Sequence, residues 1–185
     1  MSGFERFNKI LNLFSEKRSS LTVAEISEEL KIPSSTIYRT VREMVLADFL
    51  ESAAGSYFRL GQAFIKFNRI INLSDPLIQA GEPFLKKLAN ENPIPSTNIL
   101  ARLFGDKVMC VADFKYPSFK NNTSYQKGRL MPLLYGATSR AIIMQIKGKR
   151  LYDILNLEGL KDNKQQEIFI RGLDKDRKKG FCKTE

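Results

Sequence analysis

Pro33 restricts this chain more than any other single residue. It has no backbone N–H, and its ring disfavours helical geometry in the residue before it. Yet apolar residues recur at helical spacing on both sides: Val23, Ile26 and Leu30 before it, Ile37, Val41, Met44 and Val45 after it. The pattern predicts two short helices meeting at a tight turn. The first ends at about residue 32 and opens on a capping box, Thr22-x-x-Glu25, in which side chains and backbone N–H groups satisfy each other reciprocally. The second opens with Ser34 as N-cap and runs to about residue 47. Another capping box, Ser2-x-x-Glu5, starts an earlier helix with Phe4, Phe7, Ile10, Leu11 and Phe14 on one core-facing stripe, followed by a polar turn over residues 15–20.

Beyond the third helix, residues 49–52 and 57–60 read as two strands around the small-residue turn Ala53-Ala54-Gly55-Ser56. Three helices followed by a hairpin is the order of a winged helix-turn-helix, which inserts the second helix of its pair into the major groove of duplex DNA. Opposite its buried stripe that helix carries Ser35, Thr36, Arg39, Arg42 and Glu43. Guanidinium forks suit guanine edges or phosphates, and hydroxyls are permissive partners of either. The candidate DNA-contacting residues are Thr22, Ser34, Ser35, Thr36, Tyr38, Arg39 and Arg42, with Ser56 and Arg59 on the hairpin.

The formal charge of +10 does not itself support that reading, because it lies elsewhere. Residues 1–61 balance eight basic against eight acidic residues, and residues 62–185 carry the whole excess. The prediction therefore rests on pattern. Histidine is absent, which removes Ser-His and Cys-His nucleophile pairs and the commonest general base near neutral pH. Gly148-Lys149 lacks the upstream glycine of a phosphate-binding loop. No enzyme activity, cofactor or metal is expected. Cys110 and Cys182 lie far apart with no CxxC spacing, so both are expected to be reduced and structural. No apolar run approaches the about 20 residues of a membrane span, and the N-terminus has no signal-peptide pattern; a cytoplasmic protein with no membrane partner is expected.

In the second half, residues 62–73 predict a helix whose apolar residues Phe64, Ile65, Phe67, Ile70, Ile71 and Leu73 spread too widely for one packing surface, implying a second partner such as another copy of the chain. Asp75 and Pro76 then supply an N-cap and first-turn proline for a helix to about residue 89, with Leu77, Ala80, Phe84 and Leu88 expected to be buried. Residues 97–104 and 107–114 flank Gly105-Asp106 as a hairpin. Residues 115–131, with Pro117, Asn121 and Asn122, read as a long surface loop, and helices are expected at about 138–147, 149–156 and 163–179. Tyr135, Gly136, Ala137 and Thr138 form a small-residue turn into a helix that either binds an anion through free backbone N–H groups or is a plain turn capped by Thr138. The run Lys175, Arg177, Lys178, Lys179 and Lys183, interrupted by Asp174 and Asp176, reads as solvated surface.

The run 21–26, then Ile32-Pro33-Ser34-Ser35-Thr36-Ile37-Tyr38-Arg39, Phe49-Leu50-Glu51 and Tyr57-Phe58-Arg59-Leu60-Gly61 resembles the IclR family of bacterial regulators. The resemblance continues through Leu133-Leu134-Tyr135-Gly136-Ala137-Thr138-Ser139-Arg140-Ala141-Ile142 and through Arg171-Gly172 to Gly180-Phe181, where it implies a late helix and a strand start. Two positions depart from the family pattern: Ser34 stands where a basic residue is common, and Ser139-Arg140 stands at a Gly-Lys step. The resemblance implies an α+β chain: a winged helix-turn-helix over 1–61, a linker and dimerisation helix over 62–75, and over 76–185 part of a GAF-like effector-binding domain that is incomplete at Glu185. An incomplete sheet is expected to leave an unpaired edge and poor solubility in that part, while the first 73 residues fold alone.

The implied function is a sequence-specific, duplex-DNA-binding transcriptional regulator. It would be a repressor acting as a homodimer or dimer of dimers and responding to a small, carboxylate-like effector held at Tyr135, Gly136, Ala137 and Thr138. The alternative is a ligand-sensing or protein-interaction module of the same fold that has lost DNA binding.

Overall fold

The computed structural model describes residues 2–92, 94–116 and 125–184, in two compact units, 1–74 and 75–185. In the first, helices α1 (Gly3–Leu11), α2 (Val23–Leu30) and α3 (Ser34–Leu46) enclose a core of Ile10, Leu21, Ile26, Ile37, Val41, Met44 and Leu50. Burying an aliphatic side chain of this size stabilises by about 1.5–3 kcal/mol, so this cluster fixes the three helix directions. Thr22 caps α2 as expected: its hydroxyl accepts from the Glu25 N–H at 3.2 Å, and its own N–H donates to the Glu25 carboxylate at 2.7 Å. That backbone bond, with a second from the Thr22 hydroxyl, holds the Glu25 carboxyl below the ordinary carboxylate range.

Several local expectations are corrected. The α1 stripe stops short of Phe14 because the helix ends at Leu11, and Phe4 is 80% exposed. The first capping box keeps its N-cap, with the Ser2 hydroxyl accepting from Glu5 N–H and the Ser2 N–H facing the Glu5 carboxylate. Pro33, not Ser34, occupies the N-cap position of α3; Ser34 is the first helical residue and donates its hydroxyl to Ser27 Oγ at 3.0 Å. The hairpin forms from β2 (Leu50–Ser52) and β3 (Tyr57–Leu60), but a third strand, β1 (Ser20–Thr22), pairs along the other edge of β3. The end of the expected polar turn thus belongs to the sheet. Gly61 then passes so near the α3–β2 turn that a Cβ would lie 2.2 Å from the Asp48 carbonyl oxygen. Its N–H donates to Phe49 O, and the Ala63 N–H donates to Asp48 O. Helix α4 (Ala63–Ser74) follows.

The second unit is a three-stranded antiparallel sheet, β4 (Thr97–Phe104), β5 (Lys107–Lys115) and β6 (Leu130–Pro132), flanked by helices. A register shift, with Leu100 opposite Ala112 but Ala101 opposite Cys110, places an extra residue at Val111 and reverses the alternation of β5. Val108 and Cys110 thereby join one cluster with α6 (Ala137–Ile143), α7 (Lys149–Leu157) and α8 (Asn163–Lys179). Ala112 and Leu100 turn instead to α5 (Pro76–Glu91), where they meet Ile78 and Leu85.

Asp75 caps α5 as expected, accepting from Leu77 and Ile78 N–H. The buried residues of α5, however, are Ile78, Leu85 and Ala89; Ala80 is exposed, and Leu77, Phe84 and Leu88 are 37%, 66% and 55% exposed. The packed stripe is rotated because Gly81 meets the sheet: a Cβ there would be 2.5 Å from Leu100 Cδ2. The stretch read as loop contains β6, and Pro117, Asn121 and Asn122 lie outside the described residues. Helix α6 ends at Ile143, well before residue 147. Residues 181–184, including the expected strand start at Phe181 and Cys182, form no strand. No helix among the described residues is long and apolar enough to cross a membrane.

Two outcomes follow. Thr22→Ala should cost about 1 kcal/mol in urea unfolding at neutral pH. Because the folded carboxyl of Glu25 is depressed, its contribution is present above the unfolded carboxyl pKa and is lost as pH falls through the folded one, so the gap between variant and parent should narrow in acid. Burial pushes the Cys110 thiol up to about 11, and burial together with Asp176 raises Cys182, which is partly exposed. Maleimide at pH 8 followed by intact mass should therefore show slow modification at Cys182 alone until the chain is unfolded.

Candidate nucleic-acid interface

Helix α3 is held by its buried residues Ile37, Thr40, Val41 and Met44, so 100° per residue turns Ser35, Tyr38, Arg39 and Arg42 outward. All four are exposed, Tyr38 by 58%. Neither arginine has an ion-pair partner among the described residues, whereas Arg6 is drawn inward by donating to Thr40 Oγ1 at 2.7 Å. Thr36 is half-buried, and its carbonyl accepts the Thr40 hydroxyl. A shallow groove of about 200 Å³, lined by Tyr38, Val41, Arg42, Val45, Ser52 and Phe58, joins the exposed face of α3 to the hairpin.

The remaining sequence candidates divide. The Thr22 hydroxyl is spent on capping, and Ser34 is tied to Ser27. Arg59 is ion-paired with Glu51, its cross-strand neighbour. Ser56 is exposed at the hairpin tip, where Gly55 and Ser56 both have positive φ, 68° and 62°. Consecutive left-handed residues give the twist that tight hairpins require. The structure thus brings Tyr38, Arg39 and Arg42 together on one open face and engages Thr22, Ser34 and Arg59 within the unit.

In the second unit, Gly136 rather than Thr138 is the N-cap residue of α6, with φ 83° and no side-chain cap. Tyr135 is exposed, and Gly136, Ala137 and Thr138 are half-buried. Sequence reasoning passed over the neighbour that shapes this turn, Tyr125. Its hydroxyl lies 2.8 Å from Ser139 Oγ and donates to the Tyr135 carbonyl at 3.1 Å, while Ser139 donates to Pro132 O at 2.6 Å. A Cβ on Gly136 would sit 2.9 Å from the Tyr125 hydroxyl, so glycine admits the ring. Tyr125 stands inside the expected loop, where no periodicity marks it.

Arg140, next in the turn's helix, pairs with Asp176 of α8, and its guanidinium lies 5.5 Å from the Phe169 ring centre. That pairing lowers the Asp176 carboxyl. Both residues of the departing Ser139-Arg140 step are therefore occupied in packing. Among the described residues no group of three or more acidic or cysteine side chains is placed to hold a metal.

Residues 5–53 match the model of the IclR helix-turn-helix domain. Over 98% of its length the chain is 19% identical to the Pca regulon regulatory protein of Pseudomonas putida, and it spans 63% of that protein. Among solved structures, an IclR-type transcriptional regulator from Alicyclobacillus acidocaldarius superposes with a TM-score of 0.76 at 22% identity, covering 96% of this chain and 73% of that one. An IclR homologue from Microbacterium hydrocarbonoxydans, solved in complex with 4-hydroxybenzoate, gives 0.73 at 20% identity, covering 96% and 75%. Residues 5–53 thus match the IclR helix-turn-helix domain, and the chain shares its fold with solved IclR-type structures across nearly its whole length.

Proposed function

We propose that the chain is a sequence-specific, duplex-DNA-binding transcriptional regulator of the cytoplasm, and that it acts as a repressor. In this reading residues 1–61 bind DNA, 62–75 link and dimerise, and 76–185 form part of an effector-binding domain. The observation that carries it is the open face of α3, where Tyr38, Arg39 and Arg42 stand exposed beside the hairpin. Such a face fits the major groove, with the hairpin tip at Ser56 beside it. The match to the IclR helix-turn-helix domain supports it.

Dimerisation has its own support. Helix α4 exposes Phe67, Ile70 and Ile71 by 43%, 50% and 52%, an apolar surface that a second copy would cover. Two-fold symmetric operators are read by paired recognition helices.

A small carboxylate is the proposed effector, held at Tyr135, Gly136, Ala137 and Thr138. The first backbone N–H groups of α6 have no side-chain cap, and the Microbacterium homologue was solved with an aromatic carboxylate. One set of observations favours the alternative of a module without DNA binding: residues 1–61 carry no net charge, and Thr22, Ser34 and Arg59 are occupied internally.

Binding selection from random duplexes, followed by anisotropy across a salt series, separates the two readings. A regulator shows a selected site and a steep fall of affinity with salt, and no duplex binding at any salt would sink the proposal. Arg39→Ala should weaken the selected site by about 1–3 kcal/mol if it reads a guanine; a loss equal on every sequence would make it a phosphate contact. Phe67→Glu with Ile71→Glu should convert dimer to monomer in light scattering and weaken operator binding through lost bivalency. Because Phe67 also stacks on Phe49, Ile71→Glu alone is the cleaner variant, and an unchanged dimer in both retires α4 as the interface.

A further inference from the structure

The basic run near the C-terminus is interrupted in sequence by acids, but the helix sorts them. On α8 the buried side is marked by Leu173 and Gln166. At about 100° per residue, Lys164, Arg171, Lys175 and Lys178 fall on the opposite side, within a strip about 60° wide. All four are exposed. The acids lie off this strip and are matched by arginines: Asp176 turns inward to Arg140, Asp174 pairs with Arg177, and Glu167 sits at the margin beside Arg171 at 3.5 Å. Lys164, Lys175 and Lys178 have no ion-pair partner among the described residues. The result is a line of four cations about 20 Å long, in which Arg171 is shared with Glu167 and the three lysines are unpaired.

Such a ridge fits a polyanion with regularly spaced charges. A duplex carries one negative charge per about 1.7 Å of its axis, and neutralising phosphates supplies most sequence-independent affinity. Residues 1–61 offer Arg39 and Arg42 to that term but carry no net charge, and the excess of ten lies entirely in residues 62–185. We infer that the exposed ridge of α8 is a second, sequence-independent contact for the phosphate backbone of duplex DNA. The inference rests on the reading that DNA is this chain's partner, and it assigns to the second unit an electrostatic share of the affinity in addition to that of Arg39 and Arg42.

The test uses the full chain and a random-sequence duplex, with affinity measured by anisotropy from about 50 to 200 mM salt. Lys175→Gln with Lys178→Gln should reduce the slope of log affinity on log salt by about two, since each neutralised phosphate contributes about 0.9. Lys86→Gln with Lys87→Gln, an equal loss of charge from exposed residues of α5, should leave the slope unchanged. Far-UV circular dichroism and the thermal midpoint, the same in all three proteins, establish that the fold is kept. An unchanged slope in the α8 variant, or equal losses in both variants, overturns the inference. If the slope is unchanged while Arg39→Ala still abolishes site preference, the ridge alone is rejected and the regulator reading stands. If the parent chain binds no duplex at any salt, both are rejected.

Discussion

The reversal between α2 and α3 is the constraint on which the rest of the first unit depends. Helix α2 ends with Lys31 in the left-handed conformation, and the Ile32 N–H reaches back to Ser27 O at 3.1 Å, a Schellman-type closure. The Ser27 hydroxyl donates to Ile32 O at 2.6 Å, so the turn is pinned from both directions. Pro33 then starts α3 in a new direction. Once that angle is set, Ile37, Val41 and Met44 must enter the core with Ile10, Leu21 and Ile26, and Arg39 and Arg42 have no choice but to face out. The open face of α3 is a consequence of where the chain is forced to turn.

Most of this was legible in the sequence because it is written locally. Capping boxes, a proline and an apolar period of 3.6 each act within a few residues, and α2, α5, α7 and α8 lie close to where those signals place them. The errors share a different cause. Strand β1 is three residues long and exists because β3 offers it an edge, which no window around residue 20 contains. On α5, Leu77, Phe84 and Leu88 are as apolar as Ile78, Leu85 and Ala89, and it is Gly81, in close approach to Leu100, that decides which set is buried. Tyr125 reaches Ser139 across fourteen residues, and Arg59 is neutralised by a residue eight positions away through strand pairing.

Charge shows the same contrast between linear and spatial order. Along the chain the residues of α8 alternate in sign, and the reading of an interrupted, solvated run is reasonable. Folded, the helix places Leu173 inward and draws Asp176 to Arg140, whose ring partner Phe169 lies on the same helix. Asp176 serves internal attachment, Asp174 and Glu167 pair along the helix itself, and the unpaired lysines are left on the side away from the core.

Gly61 has a mechanical consequence. With the Asp48 carbonyl oxygen 2.2 Å from where its Cβ would be, and the Ala63 N–H bonded to that same oxygen, there is no slack between the wing, the end of α3 and the start of α4. Phe49 reinforces the joint by packing edge-on against Phe7 and Phe64 and face-on against Phe67. A rotation of α4 at this joint therefore presses directly on the α3–β2 turn, at the end of the helix that presents Arg39.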